Sequence, residues 1–406
     1  MTLNNAMFSG VRIIELAQFV FVPAATAILA DLGADVVKIE AISGDPYRTL
    51  RIADGRQTKS ANLSMEQNNR GKKSVALDLK TEEGRELLLK LVETADVFLT
   101  SLRPAALARL SLGLDQLRAR NPKLIYAHGN GLGFRGDESE RPGYDASCFW
   151  ARGGFAHVLT PPGLSPIRPR PALGDHAGAM NIAFGIASAL FNREKTGEPS
   201  TVEVSLLSTA MWILSADVCT SQALTDTQLT QVADEGRYAL TRAYQTSDGR
   251  WAQLMFLDPE RYWPELCRRI GGEALLRDER FTTLDKRIEN GKALIEELSA
   301  AFRLLTWDEL REAFHGFDAP WEPIQNIKEL AADPQAIAND YLFDVEVSDG
   351  TKVSVVAGPV AFNGSPVAMN PKCSPHLGEH SDEVLRSAGI SEDDLRDYRK
   401  RNIVVG

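Results

Sequence analysis

Short apolar runs and amphipathic stretches alternate over the first third of the chain. Residues 11–16 (VRIIEL) have the length and composition of a buried strand, and so do residues 35–40 (DVVKIE). The alanine-rich stretch 23–32 between them has helical character, with Pro23 at its start and Gly33 after its end, as helix termini prefer. A strand, a helix and a strand in so few residues predict a βαβ unit, which implies a parallel sheet with right-handed crossovers.

The same alternation continues toward the middle of the chain. We predict helices at 81–94, with Thr81 as N-cap, and at 104–110, and strands at 74–79, 96–100 and 124–128. Together these elements predict an open α/β domain of the doubly wound type. Residues 129–171 are rich in Gly, Pro and Arg and lack periodicity, which predicts long loops that are often functional. Residues 178–191 then predict a buried helix.

The pattern changes after about residue 221. Residues 222–236 are polar and predict a linker, and residues 244–255 predict a hairpin with Ser-Asp-Gly at its turn. Amphipathic helices follow to about residue 330, so we expect a smaller α+β domain here. A second hairpin is predicted at 342–356 and a charged helix at 391–401.

Composition narrows the class of protein. The 406 residues are 44% hydrophobic and 25% charged, which suits two or three globular domains. A net charge of −10 argues against a nucleic-acid-binding protein, and no run of about 20 apolar residues predicts a membrane span. The cysteines are far apart and form no metal or disulfide pattern: Cys148, Cys219, Cys267 and Cys373. With no secretory signal pattern, we expect a cytoplasmic protein without a metal site.

One tripeptide, Leu173-Gly174-Asp175, could carry chemistry. Asp175 stands at the start of an apolar helix in an N-cap-like position, where backbone N–H groups favour negative charge. Capping alone would explain an aspartate there. A carboxylate can also attack a thioester to give a mixed anhydride, and its ordinary pKa of about 3.9 would keep it ionised at neutral pH. The residue pattern leaves both roles open.

Several longer segments carry a family resemblance. The series VRIIELAQFVFVPAATAILADLGADVVKIE, NNRGKKSVALDLKTEEGRELLLKLVETADV, LGDHAG and PHLGEHSDEVL resembles the class III (CaiB/BaiF) CoA-transferases, from about residue 10 to 385. The resemblance implies an interlocked, ring-like homodimer with a Rossmann-like large domain and a smaller domain. It places the large domain at 1–221, the small domain at 222–330, and a linker that returns to the large domain at 331–406.

The resemblance also implies a reaction. Asp175 matches the aspartate that forms an acyl anhydride and then an aspartyl-CoA thioester. Coenzyme A is then the group carried from an acyl-CoA donor to a small carboxylic acid, with no metal or redox cofactor. Some formyl-CoA transferases of this family carry a run of glycines in the lid that closes over the active site. Residues 226–243, the predicted lid region, contain a single glycine, Gly236, so the resemblance does not support formyl or oxalate specificity.

Residues that would bind CoA are implied in the same way. Ala17 and Gln18 match the contact region for the thiol arm and catalytic pocket, and Tyr144 would hydrogen-bond or pack against CoA. Cations and an amide that would meet the phosphates and adenine are Arg48, Asn69, Arg70, Lys72, Arg103 and Arg109. A solvated surface role stays open for the cations.

Two alternatives to CoA transfer remain. The family's α-methylacyl-CoA racemases carry Gly-His-Asp where this chain has Gly143-Tyr144-Asp145, and a tyrosine is a poor base at its usual pKa of about 10. The missing histidine therefore favours transfer over racemisation or epimerisation. A non-catalytic acyl-CoA-binding paralogue is the other alternative, and the intact Asp175 argues against it.

Overall fold

The computed structural model describes residues 6–50, 62–225, 239–348, 350–366 and 372–406. The chain divides into a large unit, Met1–Val218 with Pro334–Gly406, and a small unit, Cys219–Asp333. The strands are β1 (Arg12–Leu16), β2 (Asp35–Glu40), β3 (Lys73–Leu77), β4 (Val97–Thr100), β5 (Ile125–Asn130), β6 (Thr201–Ser205), β7 (Ala243–Gln245), β8 (Trp251–Leu254), β9 (Trp321–Pro323), β10 (Leu342–Glu346), β11 (Lys352–Val356), β12 (Ala361–Phe362), β13 (Ser365–Pro366) and β14 (Val404–Val405).

The helices follow the same chain order. They are α1 (Phe21–Asp31), α2 (Leu63–Asn69), α3 (Glu82–Val92), α4 (Pro104–Arg109), α5 (Leu114–Arg120), α6 (Phe155–Val158), α7 (Leu173–Thr196), α8 (Leu206–Ile213), α9 (Ser215–Ala223), α10 (Pro259–Arg269), α11 (Leu284–Glu289), α12 (Gly291–Phe302), α13 (Trp307–Ala313), α14 (Ile327–Ala331), α15 (Pro334–Ala338), α16 (Ser381–Ser387) and α17 (Glu392–Lys400). Short 3₁₀ turns occur at Pro46–Arg48 and Glu273–Leu276, and a π-helical segment at Asp145–Ala151.

A mainly parallel sheet organises the large unit. Among the described residues its strand order is β14-β3-β2-β1-β4-β5-β6. The pairs from β3 to β6 are parallel, and β14 joins the edge of β3 antiparallel. The predicted α/β class with a parallel sheet is therefore confirmed, and its β1–α1–β2 start follows the predicted βαβ unit.

Helices cover both faces of this sheet. Ile13 packs in a core with α1 and α7, whereas the next residue, Ile14, packs in a second core with α3, α5 and the C-terminal helices. Successive strand side chains point to opposite faces, so a sheet buried on both faces needs nearly continuous apolar strands. That requirement explains the runs at the start of the chain.

The small unit has a core of its own. Its three-stranded antiparallel sheet has the order β7-β8-β9, and the pairing of β7 with β8 confirms the predicted hairpin. Tyr244, Phe302 and Phe314 are buried among helices α10 to α13. The predicted linker lies outside the described residues from position 226 onward.

Three departures from the predicted elements concern the large unit. Helix α7 begins at Leu173, five residues before the predicted start, so LGDHAG forms its first turns. The predicted loops at 129–171 contain the π-helical segment and α6. Strand β14 was not predicted, because two residues are too short to show a pattern. No described helix, α7 included, is long and apolar enough to cross a membrane.

Candidate active site

The first turn of α7 fixes where Asp175 lies. Ala172, before the helix, has a left-handed φ of 60° and makes no side-chain cap, and Asp175 is the third helical residue. A side chain on Gly174 would place its Cβ 2.1 Å from the Phe149 ring, and one on Gly178 would lie 2.3 Å from Phe21. The two glycines therefore let the start of α7 pack closely against neighbouring aromatic rings.

Asp145, not Asp175, caps this helix. Asp145 Oδ1 accepts the Gly174 N–H at 3.1 Å, and the backbone N–H groups of Leu173 and Asp175 also stabilise its charged form. The expected N-cap-like position of Asp175 is therefore wrong, because a carboxylate distant in sequence takes the cap. As a result, the Asp175 carboxylate is free of capping.

The environment of Asp175 changes its ionisation. Burial, and to a smaller extent the charge of Asp145, raise the pKa of Asp175 to about 7. Burial also raises the pKa of Asp145, although its three backbone hydrogen bonds oppose this. Among the described residues no cation forms an ion pair with Asp175. The expectation that its ordinary pKa keeps it ionised does not hold, since both protonation states are populated near neutral pH.

Tyr144 lies at the start of the π-helical segment that leads into Asp145. Its side chain is 60% exposed. Its ring meets the edge of the Phe19 ring, with centroids 5.4 Å apart and an angle of 84°. Ser147 Oγ accepts the Tyr144 N–H at 3.0 Å, which fixes the backbone there. The loop after β1 therefore contacts the segment that caps α7.

A cavity of about 280 Å³ opens at the carboxyl ends of the parallel strands. Ala17 and Gln18, which follow β1, line it, and Ala17 is buried while Gln18 is half-buried. Ile42, Leu79 and Leu110 contribute apolar wall from neighbouring crossovers. Open α/β sheets bind nucleotides at this edge.

One cation lines this cavity, and two more directly adjoin lining residues in the sequence. Lys80, three residues after β3, lines it directly and was missed by the sequence analysis, although its place after a strand was a usable signal. Arg103 and Arg109 are exposed and flank lining residues, and Arg103 donates to the Glu140 carbonyl at 3.2 Å. Among the described residues, none of these three cations pairs with a buried carboxylate.

The predicted residues Asn69, Arg70 and Lys72 lie together, but they are buried. Arg70 pairs with Asp31 at 2.6 Å, and Lys72 pairs with Glu15 at 2.8 Å. Lys72 also donates to Asn69 Oδ1 at 3.0 Å. These side chains already have partners within the protein, and a CoA phosphate would have to compete with them. Their roles as CoA ligands stay predictions.

Arg48 has a similar internal arrangement. Its guanidinium donates to both carboxylate oxygens of Glu40, at 2.8 and 2.7 Å, and to the Pro375 carbonyl at 3.0 Å. Glu40 in turn accepts from Ser74 Oγ at 2.6 Å. The C-terminal PHLGEH segment is thereby tied to the strands that form the cavity.

His176, beside Asp175, is directed toward a different element. Its Nε2 lies 2.9 Å from Asn68 Oδ1 on α2. His128 is buried, its Nε2 lies 2.7 Å from the Leu102 carbonyl, and burial lowers its pKa to about 4. The geometry thus supports Asp175, not a histidine, as the candidate reactive group.

Comparisons with known proteins add a family. The model of CoA-transferase family III matches residues 8–381. The chain is 31% identical to (R)-2-hydroxy-4-methylpentanoate CoA-transferase of Clostridioides difficile, over 98% of this chain and 99% of that protein. It is 32% identical to cinnamoyl-CoA:phenyllactate CoA-transferase of Clostridium sporogenes, over 99% and 98%. The structure of a CAIB/BAIF family protein from Brucella suis superposes with a TM-score of 0.81 at 27% identity, covering 95% of this chain and 100% of that chain.

Proposed function

Because the chain belongs to CoA-transferase family III and is a class III CoA-transferase, we propose that it transfers CoA through covalent intermediates on Asp175. The observation that carries this proposal is the state of the Asp175 carboxylate. It lies at the helix start, does not cap the helix, and has a pKa raised to about 7 by burial and by Asp145. Its ionised form is a stronger nucleophile than an ordinary carboxylate.

The first half of the reaction loads CoA on the enzyme. The Asp175 carboxylate attacks the thioester carbonyl of the donor, and the C–S bond breaks. CoA departs as the thiolate, and a mixed anhydride forms on the aspartate. The thiolate then attacks the aspartyl carbonyl and releases the donor acid as its carboxylate. An aspartyl-CoA thioester remains.

The second half reverses these steps with another acid. The acceptor carboxylate attacks the aspartyl thioester and expels CoA thiolate, which gives a new anhydride. The thiolate attacks the acyl carbonyl of the acceptor, forms its CoA ester and frees Asp175. No atom changes its oxidation state in these steps, so the proposal needs no redox cofactor, and it includes no metal.

We propose that CoA lies across the carboxyl ends of the strands. Lys80, Arg103 and Arg109 would meet the phosphates at the cavity, because these cations have no buried carboxylate partner among the described residues. Ala17, Gln18 and Tyr144 would contact the thiol arm near Asp175. Four residues would stabilise the packing around the site through their internal contacts and would not bind CoA directly: Arg48, Asn69, Arg70 and Lys72.

The acceptor is proposed to be a small carboxylic acid, since the names of both relatives contain one. We further propose a cytoplasmic homodimer, with the domain limits near residues 221 and 330. Large apolar side chains are exposed on α7 and α8, with Phe184 at 74% and Trp212 at 75%. Patches of this kind usually mark an interface.

The test is intact-mass spectrometry after incubation with succinyl-CoA and other acyl-CoAs. We expect a hydroxylamine-sensitive adduct that maps to Asp175 and is absent from Asp175→Ala. Asp145→Asn is the matched control, because asparagine keeps a cap oxygen for α7 and leaves Asp175 intact. This control should still form the adduct.

The same samples separate the alternatives. If no donor modifies Asp175 while bound acyl-CoA exchanges its α-proton with solvent deuterium, the protein is a racemase or epimerase and the proposal fails. Binding of acyl-CoA with neither adduct nor exchange would instead indicate a non-catalytic paralogue.

A further inference from the structure

The buried ion pair Lys38–Asp45 binds the loop after β1 at the two residues that flank Gln18. Lys38 Nζ donates to the Ala17 carbonyl at 2.9 Å, and Asp45 Oδ1 accepts the Phe19 N–H at 3.3 Å. Lys38 Nζ lies 3.1 Å from Asp45 Oδ2, and both side chains are fully buried. Phe19 has a φ of 65°, a left-handed conformation that residues other than glycine rarely adopt. The ion pair therefore maintains a backbone that Phe19 does not favour.

Gln18 is the residue between these two anchors. Its backbone N–H donates to Ser101 Oγ at 3.3 Å, so the backbone of the loop is held at three successive residues. Gln18 lines the cavity at the carboxyl ends of the strands. In the part of the chain that the structure describes, no hydrogen bond reaches the Gln18 amide. The backbone is fixed while the amide is open to a ligand.

The held loop reaches the candidate nucleophile through aromatic contact. The Phe19 ring meets the edge of the Tyr144 ring, with centroids 5.4 Å apart. Tyr144 directly precedes Asp145, whose carboxylate caps the first turn of α7. Asp175 is in that turn. A shift at Asp45 would therefore move both Gln18 and the Phe19–Tyr144 contact, which lies one residue before the carboxylate that caps the turn of Asp175.

Stability alone does not explain this buried pair. The cost of removing two charges from water offsets most of their attraction, so such pairs contribute little net stability. Burial disfavours the charge of Lys38, but Glu15 and Asp45 raise the pKa of Lys38 above its ordinary value. Lys38 thus stays charged and keeps its three contacts, to Glu15, Ala17 and Asp45.

We infer that Lys38 and Asp45 are positioning residues that fix the Gln18 amide relative to the acyl group carried on Asp175. The amide N–H₂ is a donor that can meet the carbonyl oxygen on which negative charge develops in each acyl step. A donor of this kind is effective only if its position is set before the reaction. The inference rests on the proposed covalent role of Asp175.

The test is a double-mutant cycle between Asp45→Asn and Gln18→Ala. Asparagine keeps the volume but removes the anion opposite Lys38, so we expect kcat to fall by about 10²-fold, as small displacements of positioned groups do. The KM for acyl-CoA should change by less than about threefold. In the Gln18→Ala background, Asp45→Asn should cost little more, because both changes remove the same function.

Asp96→Asn is the matched control. Asp96 accepts a backbone N–H, from Arg12 at 2.8 Å, and pairs with Arg193 at 2.6 Å, much as Asp45 accepts those of Phe19 and Tyr47 and pairs with Lys38. Asp96 lies at the amino end of β4, away from Gln18. We expect its kcat to equal that of the wild type. Losses of Asp45→Asn and Gln18→Ala that simply multiply, or an equal loss in Asp96→Asn, would overturn the inference.

A milder variant covers the case in which Asp45→Asn does not fold. Ser101→Ala removes only the acceptor of the Gln18 N–H, so a smaller kcat loss is expected, and it should vanish in the Gln18→Ala background. Multiplying losses would again overturn the inference. Adduct formation on wild-type Asp175 separates the two proposals. Without the adduct the proposed function fails, whereas an adduct together with kcat losses that multiply refutes the positioning role alone.

Discussion

Two groups of carboxylates in the large unit differ in the cations that face them. Glu15 is fully buried, which would raise its pKa, yet Lys38 and Lys72 lower the pKa of Glu15 to about 2. Among the described residues Asp31 has one cation partner, Arg70, and burial still raises the pKa of Asp31. Asp175 has no cation partner among the described residues, and its pKa rises to about 7.

The comparison shows that burial alone does not distinguish a reactive carboxylate from a structural one. Each buried carboxylate loses hydration, and the number of facing cations decides whether its charge is restored. The charges of Glu15 and Asp31 are balanced by cations within the core, so these carboxylates have a structural role. Asp145 and Asp175 lie near each other at the start of α7, and among the described residues neither forms an ion pair with a cation, which suits a nucleophile.

The largest effect is expected from the group without cations. Asp175→Asn keeps the volume but removes the nucleophile, so the rate of CoA transfer should fall by about 10⁴-fold or more. Steady-state assays with any accepted donor and acceptor pair would measure it. A loss below about tenfold would show that Asp175 is not the covalent residue and that its raised pKa has another origin.

The next effect breaks a pair in the other group. Arg70→Met leaves Asp31 buried without a cation, which should lower the free energy of unfolding by about 3–5 kcal/mol at neutral pH. Asp31 can escape the penalty by binding a proton, because its folded-state pKa is already raised. The destabilisation should therefore be largest at high pH and shrink as pH falls.

Denaturant titrations of Arg70→Met at several pH values would test this. The double variant Arg70→Met/Asp31→Leu is the control, because replacing both charges by apolar groups should recover most of the stability. If Arg70→Met folds with unchanged stability but shows a raised KM for acyl-CoA, Arg70 is a ligand as first expected.

The sequence predicted the parallel sheet for physical reasons that act locally, whereas the catalytic role of Asp175 rests on the family resemblance and stays a prediction. A strand buried on both faces needs an apolar run, and residues 35–40 were predicted with the bounds that β2 has. Helix α7 was predicted from 178 because the LGDHAG turn lacks apolar periodicity. Its true start depends on the cap from Asp145, which lies 29 residues away in the chain.

The candidate ligands show the limit more clearly. A basic residue between two strands has the same local pattern whether it faces a phosphate or a buried carboxylate. Arg70 is 39 residues from Asp31, and Lys72 is 57 residues from Glu15, so both partners are set by the packing of α1 and β1. Lys80 was missed because, apart from its place shortly after β3, nothing in its neighbours distinguishes it from a solvated lysine.

The exposed cations give the third prediction. Lys80→Met should raise the KM for acyl-CoA by about tenfold and leave kcat unchanged, because a phosphate contact binds ground state and transition state alike. The measurement is steady-state kinetics at low and high salt, and the difference should shrink in high salt. Lys123→Met is the control, since Lys123 is exposed just before β5 at the opposite edge. An equal KM change in both would remove Lys80 from the site.

The smallest effect separates the two causes of the raised pKa of Asp175. Asp145→Asn removes a neighbouring charge but keeps an oxygen for the Gly174 N–H, so the apparent pKa of Asp175 should fall. Burial, the larger cause, persists, so the pKa should stay above its ordinary value.

The nucleophile is the ionised form, and kcat/KM in the wild type should rise as pH increases through about 7. About one pH unit below that value, the variant should be faster by about threefold. An unchanged pH profile would assign the whole shift to burial, and the absence of a cation would then suffice to explain the reactive carboxylate.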